Sequence, residues 1–450
     1  MEMFENEYRE KFRTPEEAVK SVKSGDWVDY MYFNGFPKAL DKALAKRKDE
    51  LFGVHIRSGI SLPPFPEVPQ SDPTMEHFQW DSWHYGGFDA KLADQGICSF
   101  SPLLYHEVPD YYRNREVEVD VAMMRVCPMD KYGYFNFGIN ASHCEAVIEN
   151  AKITIVEENE TMPYVYGGNG NQIHISEIDY IVRGENEPMA NATVLQPTEA
   201  EMRIADHILE EIHDGCCIQL GIGGLPNYLG KKIAEAGLRD LGVHTEMMAD
   251  AYVEMWKKGC ITGAKKEIDR KKMVCAFALG SPDLYEFMDR NPMIACYPVD
   301  YTNNPFIIAQ ISNMISINGC LEVDFHGQVS SEMQGGRQIT GTGGQWDFVY
   351  GAYHSKGGKS FLCMPSTYKA KDGVVHSKIK PLLTPGAAST VSRQMTHYVV
   401  TEYGIALMKC QSIWQRTENL IKIAHPDFRD DLIEEAGKMG FWKRTNKIQP

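Results

Sequence analysis

From Glu199 onward the apolar residues Ile204, Ile208 and Ile212, with Ala205 and Leu209 beside them, recur at the spacing of one helical face. Thr198 and Glu201 stand where a capping box puts its hydroxyl and its carboxylate, so a helix is predicted to begin there and to stop at Asp214-Gly215. The apolar run Cys216-Cys217-Ile218-Gln219-Leu220 follows and reads as a buried strand. The same design opens the chain. Thr14-Pro15-Glu16-Glu17 caps a short amphipathic stretch through Ala18, Val19 and Val22, which stops at Ser24-Gly25-Asp26 ahead of Trp27-Val28. Two helix–turn–strand units point to two α/β halves that open alike. Helix, glycine and strand in succession are also common in any α/β chain, and these two helices differ in length.

Beyond residue 197, short apolar runs at 273–279, 293–296, 314–317 and 361–364 read as buried strands, with helical patterns between some of them. One helix is predicted over 250–258, capped by Asp250 and ended by Gly259. The first half repeats the alternation more loosely, with strands at 117–126 and 153–156. Strands alternating with helices indicate an α/β fold with parallel pairing. The polar, turn-rich segment 184–197 is the best linker, which divides the chain into 1–196 and 197–450. Aromatic stretches at 33–36 and 78–85 fit ordinary core packing better than a pocket wall.

A chain of 450 residues supports two or three domains, and 43% hydrophobic with 24% charged residues excludes low-complexity disorder for most of it. The formal net charge of −15 argues against a nucleic-acid binder or a basic membrane-surface protein. An anionic small ligand remains compatible, provided backbone N–H groups and local cations receive it. No apolar run approaches the roughly 18–20 residues of a spanning helix, and residues 1–12 lack the apolar centre of a signal peptide. The expected location is the cytoplasm. Eleven cysteines without a C-x-x-C pair read as reduced thiols, and 14 histidines without paired spacing give no metal site. Assembly into a homo-oligomer is compatible with the sequence and not specified by it.

The strongest local signal for chemistry is Gly221-Ile222-Gly223-Gly224-Leu225-Pro226, where a strand feeds a glycine-rich turn and Pro226 suits the start of the next helix. Such a turn is either a bare connection or a set of free N–H donors facing a ligand oxygen. Gly221-x-Gly223 begins a dinucleotide fingerprint, but Pro226 replaces its third glycine. Glu246, in His244-Thr245-Glu246-Met247-Met248-Ala249, falls at a second strand-to-helix junction. It is either a solvated loop glutamate or a carboxylate among apolar neighbours, desolvated and therefore more nucleophilic. Gly341-Thr342-Gly343-Gly344-Gln345 precedes a further helix and offers more donors. Neither stretch is a Walker A loop, and the run Gly167-Gly168-Asn169-Gly170-Asn171 reads as a surface loop without a role. Glu322 and Glu402 are competing carboxylates.

Taken together with His106-Glu107-Val108-Pro109, Lys371-Asp372-Gly373 and Thr401-Glu402-Tyr403-Gly404, these motifs resemble the acetyl-CoA hydrolase/transferase branch of the class I CoA-transferases. The resemblance implies two similar open α/β domains with the active site between them. It implies Glu246 as the catalytic residue, CoA contacts at Gly221, Ile222, Gly223, Gly224, Leu225, Gly344 and Lys371, and Ile222 and Gly344 amides as oxyanion donors, with Gly343 as the alternative. It also implies no cofactor beyond coenzyme A thioester as substrate. The implied reaction is CoA transfer between short-chain carboxylates, with butyryl-CoA and acetate foremost. Transfer to 4-hydroxybutyrate or propionate and plain acyl-CoA hydrolysis use the same glutamate. An NAD-dependent oxidoreductase is the contrasting class, and the missing third glycine argues against it. A CoA-binding regulator without turnover is the last alternative.

Overall fold

The computed structural model describes residues 3–193, 195–442, 445 and 446. Two eight-stranded sheets carry the fold. The first contains β1 (Phe12–Arg13), β2 (Trp27–Tyr30), β3 (Val54–Ser58), β4 (Phe78–Ser82), β5 (Ser99–Phe100), β6 (Val121–Val126), β7 (Ile153–Glu158) and β8 (Tyr180–Arg183). These lie in the order β1-β8-β7-β6-β2-β3-β4-β5, every pair parallel. The second contains β9 (Cys217–Leu220), β10 (Gly242–His244), β11 (Met273–Cys275), β12 (Ile294–Cys296), β13 (Met314–Gly319), β14 (Lys359–Cys363), β15 (Tyr398–Thr401) and β16 (Gly404–Leu407). Their order is β12-β11-β10-β9-β13-β14-β15-β16, parallel except for the hairpin β15–β16.

The strand orders show the same winding twice. In each sheet the first strand after a capped helix, β2 or β9, is central. The next three strands extend to one side; on the other lie β6, β7, β8 and then β1 in the first sheet, and β13 to β16 in the second. Both capping boxes form: Thr14 with Glu17 ahead of the helix Pro15–Ala18, and Thr198 with Glu201 ahead of Glu199–Leu209. Each is worth about 1 kcal/mol of helix stability. Open parallel sheets bind ligands beyond the carboxyl ends of their strands where the winding reverses. Here those places follow β2 and β9.

Central strands covered on both faces are apolar throughout, as in β6, buried at every position. The cores of the two sheets are continuous. Ile139, Met162 and Val165 pack with Met248 and Ala278, while Phe277 and Leu279 pack with Phe33 and Tyr105. The predicted strand at 273–279 is accordingly two elements. It breaks at Ala276, whose N–H bonds to the Glu246 carbonyl at 2.8 Å, and Phe277–Ala278 then pairs with Met247–Met248 outside the main sheet. The helix Asp250–Lys257 is not capped by Asp250, whose carboxylate instead receives the N–H and hydroxyl of Ser281. The segment 167–171 is more than a surface loop: Asn171 is fully buried and donates to the carbonyls of Gly138 and Val165. Among the described residues no helix is long and apolar enough to cross a membrane.

Candidate active site

A cavity of about 540 Å³ lies at the carboxyl ends of both sheets. The first sheet contributes Phe33 from beyond β2 and Trp83, His84 and Tyr85 from beyond β4. The second contributes Ile222 and Gly223 after β9, Glu246 after β10, and Gly343. The aromatic stretches thus divide: Phe36, Phe78 and Trp80 are core, while Phe33 and the 83–85 segment face the cavity. Alternation along a strand predicts which residues are inward, but it cannot tell a packed face from one that meets a cavity.

Glu246 is half-buried, and its backbone is fixed because its carbonyl accepts the N–H groups of Ala276 and Phe277 at 2.8 and 3.2 Å. Asn303 Nδ2 donates to Glu246 Oε2 at 2.6 Å. Desolvation raises the carboxyl to about 7; the Asn303 bond opposes this, the charge of Asp347 adds to it, and the Gly344 N–H opposes it again. The strand before Glu246 also anchors the Asn303 segment: buried His244 donates from Nε2 to the Thr302 carbonyl at 2.7 Å. Burial holds His244 neutral, with its pKa near 3.

The turn after β9 works as the glycine pattern requires. Gly223 has φ +122°, a conformation that a side chain would strain, and the helix Gly224–Glu235 starts directly after it. Of the residues singled out in the sequence, Ile222, Gly223, Glu246 and Gly343 line one cavity, and Gly344 touches the Glu246 carboxylate. Gly221, Gly224 and Leu225 do not line it. Gly224 is pressed against Pro197, and Leu225 belongs to the core. Lys371 is apart from the cavity, on the exposed turn between Thr367–Lys369 and Val375–Ser377, near enough to Asp94 to help hold that carboxyl low behind the leading effect of Arg337.

The competing carboxylates are already engaged. Glu322 accepts the N–H and hydroxyl of Thr384 at 2.7 and 2.8 Å and pairs with Lys380 at 2.7 Å. Glu402 accepts the N–H and hydroxyl of Ser366 at 2.8 and 2.6 Å. Sequence reasoning missed Asn303, Asp347, His84 and Thr340. Thr340 Oγ1 lies 2.8 Å from His84 Nε2 and ties the glycine stretch of the second half to the first. These residues come from separate segments with no shared spacing, so only the fold brings them together.

Residues 1–192 match the family described as Acetyl-CoA hydrolase/transferase N-terminal domain, and residues 280–436 match Acetyl-CoA hydrolase/transferase C-terminal domain. The chain belongs to the acetyl-CoA hydrolase/transferase family. A probable butyrate:acetyl-CoA coenzyme A-transferase of Syntrophomonas wolfei is 51% identical over 442 residues, covering 98% of each chain. A butyryl-CoA:acetate CoA-transferase of Anaerostipes caccae is 50% identical over 445 residues, covering 99% of this chain and 100% of that one. The crystal structure of RipA from Yersinia pestis shares the fold with a TM-score of 0.89 at 34% identity, covering 97% of this chain and 99% of that one.

Proposed function

We propose that this chain transfers CoA between short-chain carboxylates, butyryl-CoA and acetate foremost, through a covalent thioester on Glu246. The observation that carries the reading is a half-buried carboxylate in a cavity walled by both halves, between two glycine turns. The names of the two close relatives support the substrate pair. Phe33, Phe277 and Leu279 on the cavity wall suit a short aliphatic acyl chain.

In this mechanism a Glu246 oxygen attacks the thioester carbonyl of butyryl-CoA, forming a mixed anhydride and expelling CoA thiolate. The thiolate attacks the glutamyl carbonyl of the anhydride, giving the Glu246–CoA thioester and releasing butyrate. Acetate attacks that thioester, again expelling thiolate, and the thiolate then attacks the acetyl carbonyl to leave acetyl-CoA and free Glu246. Each attack builds a tetrahedral oxyanion, for which one placed N–H donor is worth ~3–4 kcal/mol. The Asn303 amide and the Gly344 N–H already meet the glutamyl oxygens. The Ile222 amide serves the substrate oxygen. The main chain from Gly221 to Leu225 and the Lys371 ammonium contact CoA, and the halves 1–196 and 197–450 close around it.

Enzyme mixed with butyryl-CoA alone is expected to gain a CoA adduct on the Glu246 peptide by mass spectrometry, with acetate discharging it. CoA released at the same rate without acetate, or an adduct on Glu322, would sink the reading. Only the ionised carboxylate attacks, so the rate of adduct formation is expected to rise with pH through a midpoint near 7. Rapid-quench measurements across that interval check it, and a rate already flat well below pH 7 would contradict the desolvated nucleophile.

A further inference from the structure

The contact between Glu246 and Asn303 continues across the boundary between the halves. The same Asn303 Nδ2 lies 3.3 Å from Asp347 Oδ2, so one amide nitrogen serves two acids. Asn303 and Asp347 are both fully buried. Asp347 Oδ1 accepts from His106 Nδ1 at 2.6 Å, and Oδ2 accepts the His106 N–H at 3.3 Å. His106 belongs to the turn Tyr105–Glu107 of the first half, and its ring stacks on Trp346 at 6.1 Å and 11°.

Asn303 Oδ1 has no hydrogen-bond partner among the described residues. Nothing on the oxygen side of the amide therefore decides which way it faces. The two carboxylates on the nitrogen side decide it, because a flipped amide would set an oxygen against both. Glu246 alone is a poor lock, since in the proposed cycle it turns into an uncharged acyl group. Asp347 forms no covalent bond in that cycle; burial raises its carboxyl, and the hydrogen bond and charge of His106 oppose the rise.

We propose that Asp347 and His106 are positioning residues for the glutamyl transfer: Asp347 holds the Asn303 N–H toward Glu246, and His106, reaching over from the first half, holds Asp347. This rests on the reading of Glu246 as the nucleophile. The site is then aligned only when the two halves are packed together. The groups facing His106 are Asp347, Glu107 and Asp110. Those facing Glu246 are Asn303, Asp347, the Gly344 N–H and the buried Tyr105. Burial opposes the charge on His106, yet the hydrogen bond and charge of Asp347 outweigh it and raise the imidazole above its ordinary value.

The test measures butyryl-CoA/acetate exchange and adduct formation in the full chain for His106→Ala, His106→Gln and Asp347→Asn. His106→Ala is expected to lower kcat by about 10-fold or more, the scale of a misplaced reacting group, with KM for butyryl-CoA within about twofold of the original. His106→Gln keeps an amide donor toward Asp347 and is expected to recover most of the loss. Asp347→Asn removes a negative charge beside Glu246, so the pH midpoint of adduct formation is expected to move to lower pH. Unchanged kcat and midpoint in the variants, or equal losses in Ala and Gln, would overturn the proposal while the parent chain still forms its adduct. A parent chain that forms no adduct on Glu246 would instead overturn the reading on which the proposal rests.

Discussion

Glu246→Gln is expected to lower CoA exchange by more than about 10⁴-fold, the scale on which losing a covalent nucleophile acts, and to make the fold more stable above pH 7. The first effect follows because an amide cannot form the glutamyl thioester. The second follows from the cost of keeping a charge in this place. Desolvation raises the carboxyl from 4.5 to about 7, so the folded chain prefers the protonated form. Any stability gained from that preference is full below pH 4.5 and is lost as pH rises toward 7. Each unit is worth about 1.4 kcal/mol, so the ionised carboxylate costs the fold ~3 kcal/mol above pH 7. Glutamine has nearly the same shape, can accept the Asn303 and Gly344 hydrogen bonds, and carries no charge to desolvate. Denaturant unfolding measured for both proteins checks this. The gap is expected to open between pH 4.5 and 7 and stay constant above that interval. A glutamine variant with no gain in stability at any pH would mean that Glu246 is not desolvated as its surroundings require.

Glu322 and Glu402 differ from Glu246 in the partners around them. Those two are compensated by hydroxyls, amides or an ammonium, as structural carboxylates are. The sequence placed Glu246 at a strand-to-helix junction, because β10 is a short apolar run and a helix starts at Asp250. It also made the glycine turn after β9 legible, since a strand followed by glycines and then Pro226 leaves few alternatives. The doubled capping box was the visible trace of a winding order that the structure repeats in both sheets. Strand order itself was not readable, because a buried parallel strand such as β6 is apolar on both faces and carries no mark of its neighbours. The break at Ala276 was hidden for the same reason: an unbroken apolar run gives no hint that its second half leaves the sheet to pack on the first domain. That Asn303, Asp347 and His106 meet was hidden by distance along the chain, although His106 stands in one of the motifs. Lys371 is a motif position that the fold places on an exposed turn outside the cavity.

Gly344→Ala is expected to reduce adduct formation by about 10²-fold or more, the price of moving a reacting atom by roughly an ångström, while leaving the fold intact. The backbone at Gly344 has φ −88° and ψ 7°, which alanine adopts without strain. The conflict is entirely with the site: an added Cβ would stand 2.0 Å from Glu246 Oε2 and 2.3 Å from Asn303 Nδ2. Both groups must move, and the Glu246 side chain has the open cavity to move into. The carboxylate then loses Asn303 and Gly344 together and no longer points along the line of attack. Gly343→Ala makes the opposite case one residue away. Its φ of +54° would cost an alanine about 1 kcal/mol or more, and its Cβ would press on His84 Cε1 at 3.1 Å, yet it would stand 3.8 Å from Glu246 Oε1, an ordinary contact. That variant is expected to lose stability and to keep much more of its adduct formation. Thermal unfolding and single-turnover adduct yields on the two proteins separate the cases. A Gly344→Ala chain that labels at the parent rate would show that the carboxylate does not react from the position in which Asn303 and Gly344 hold it.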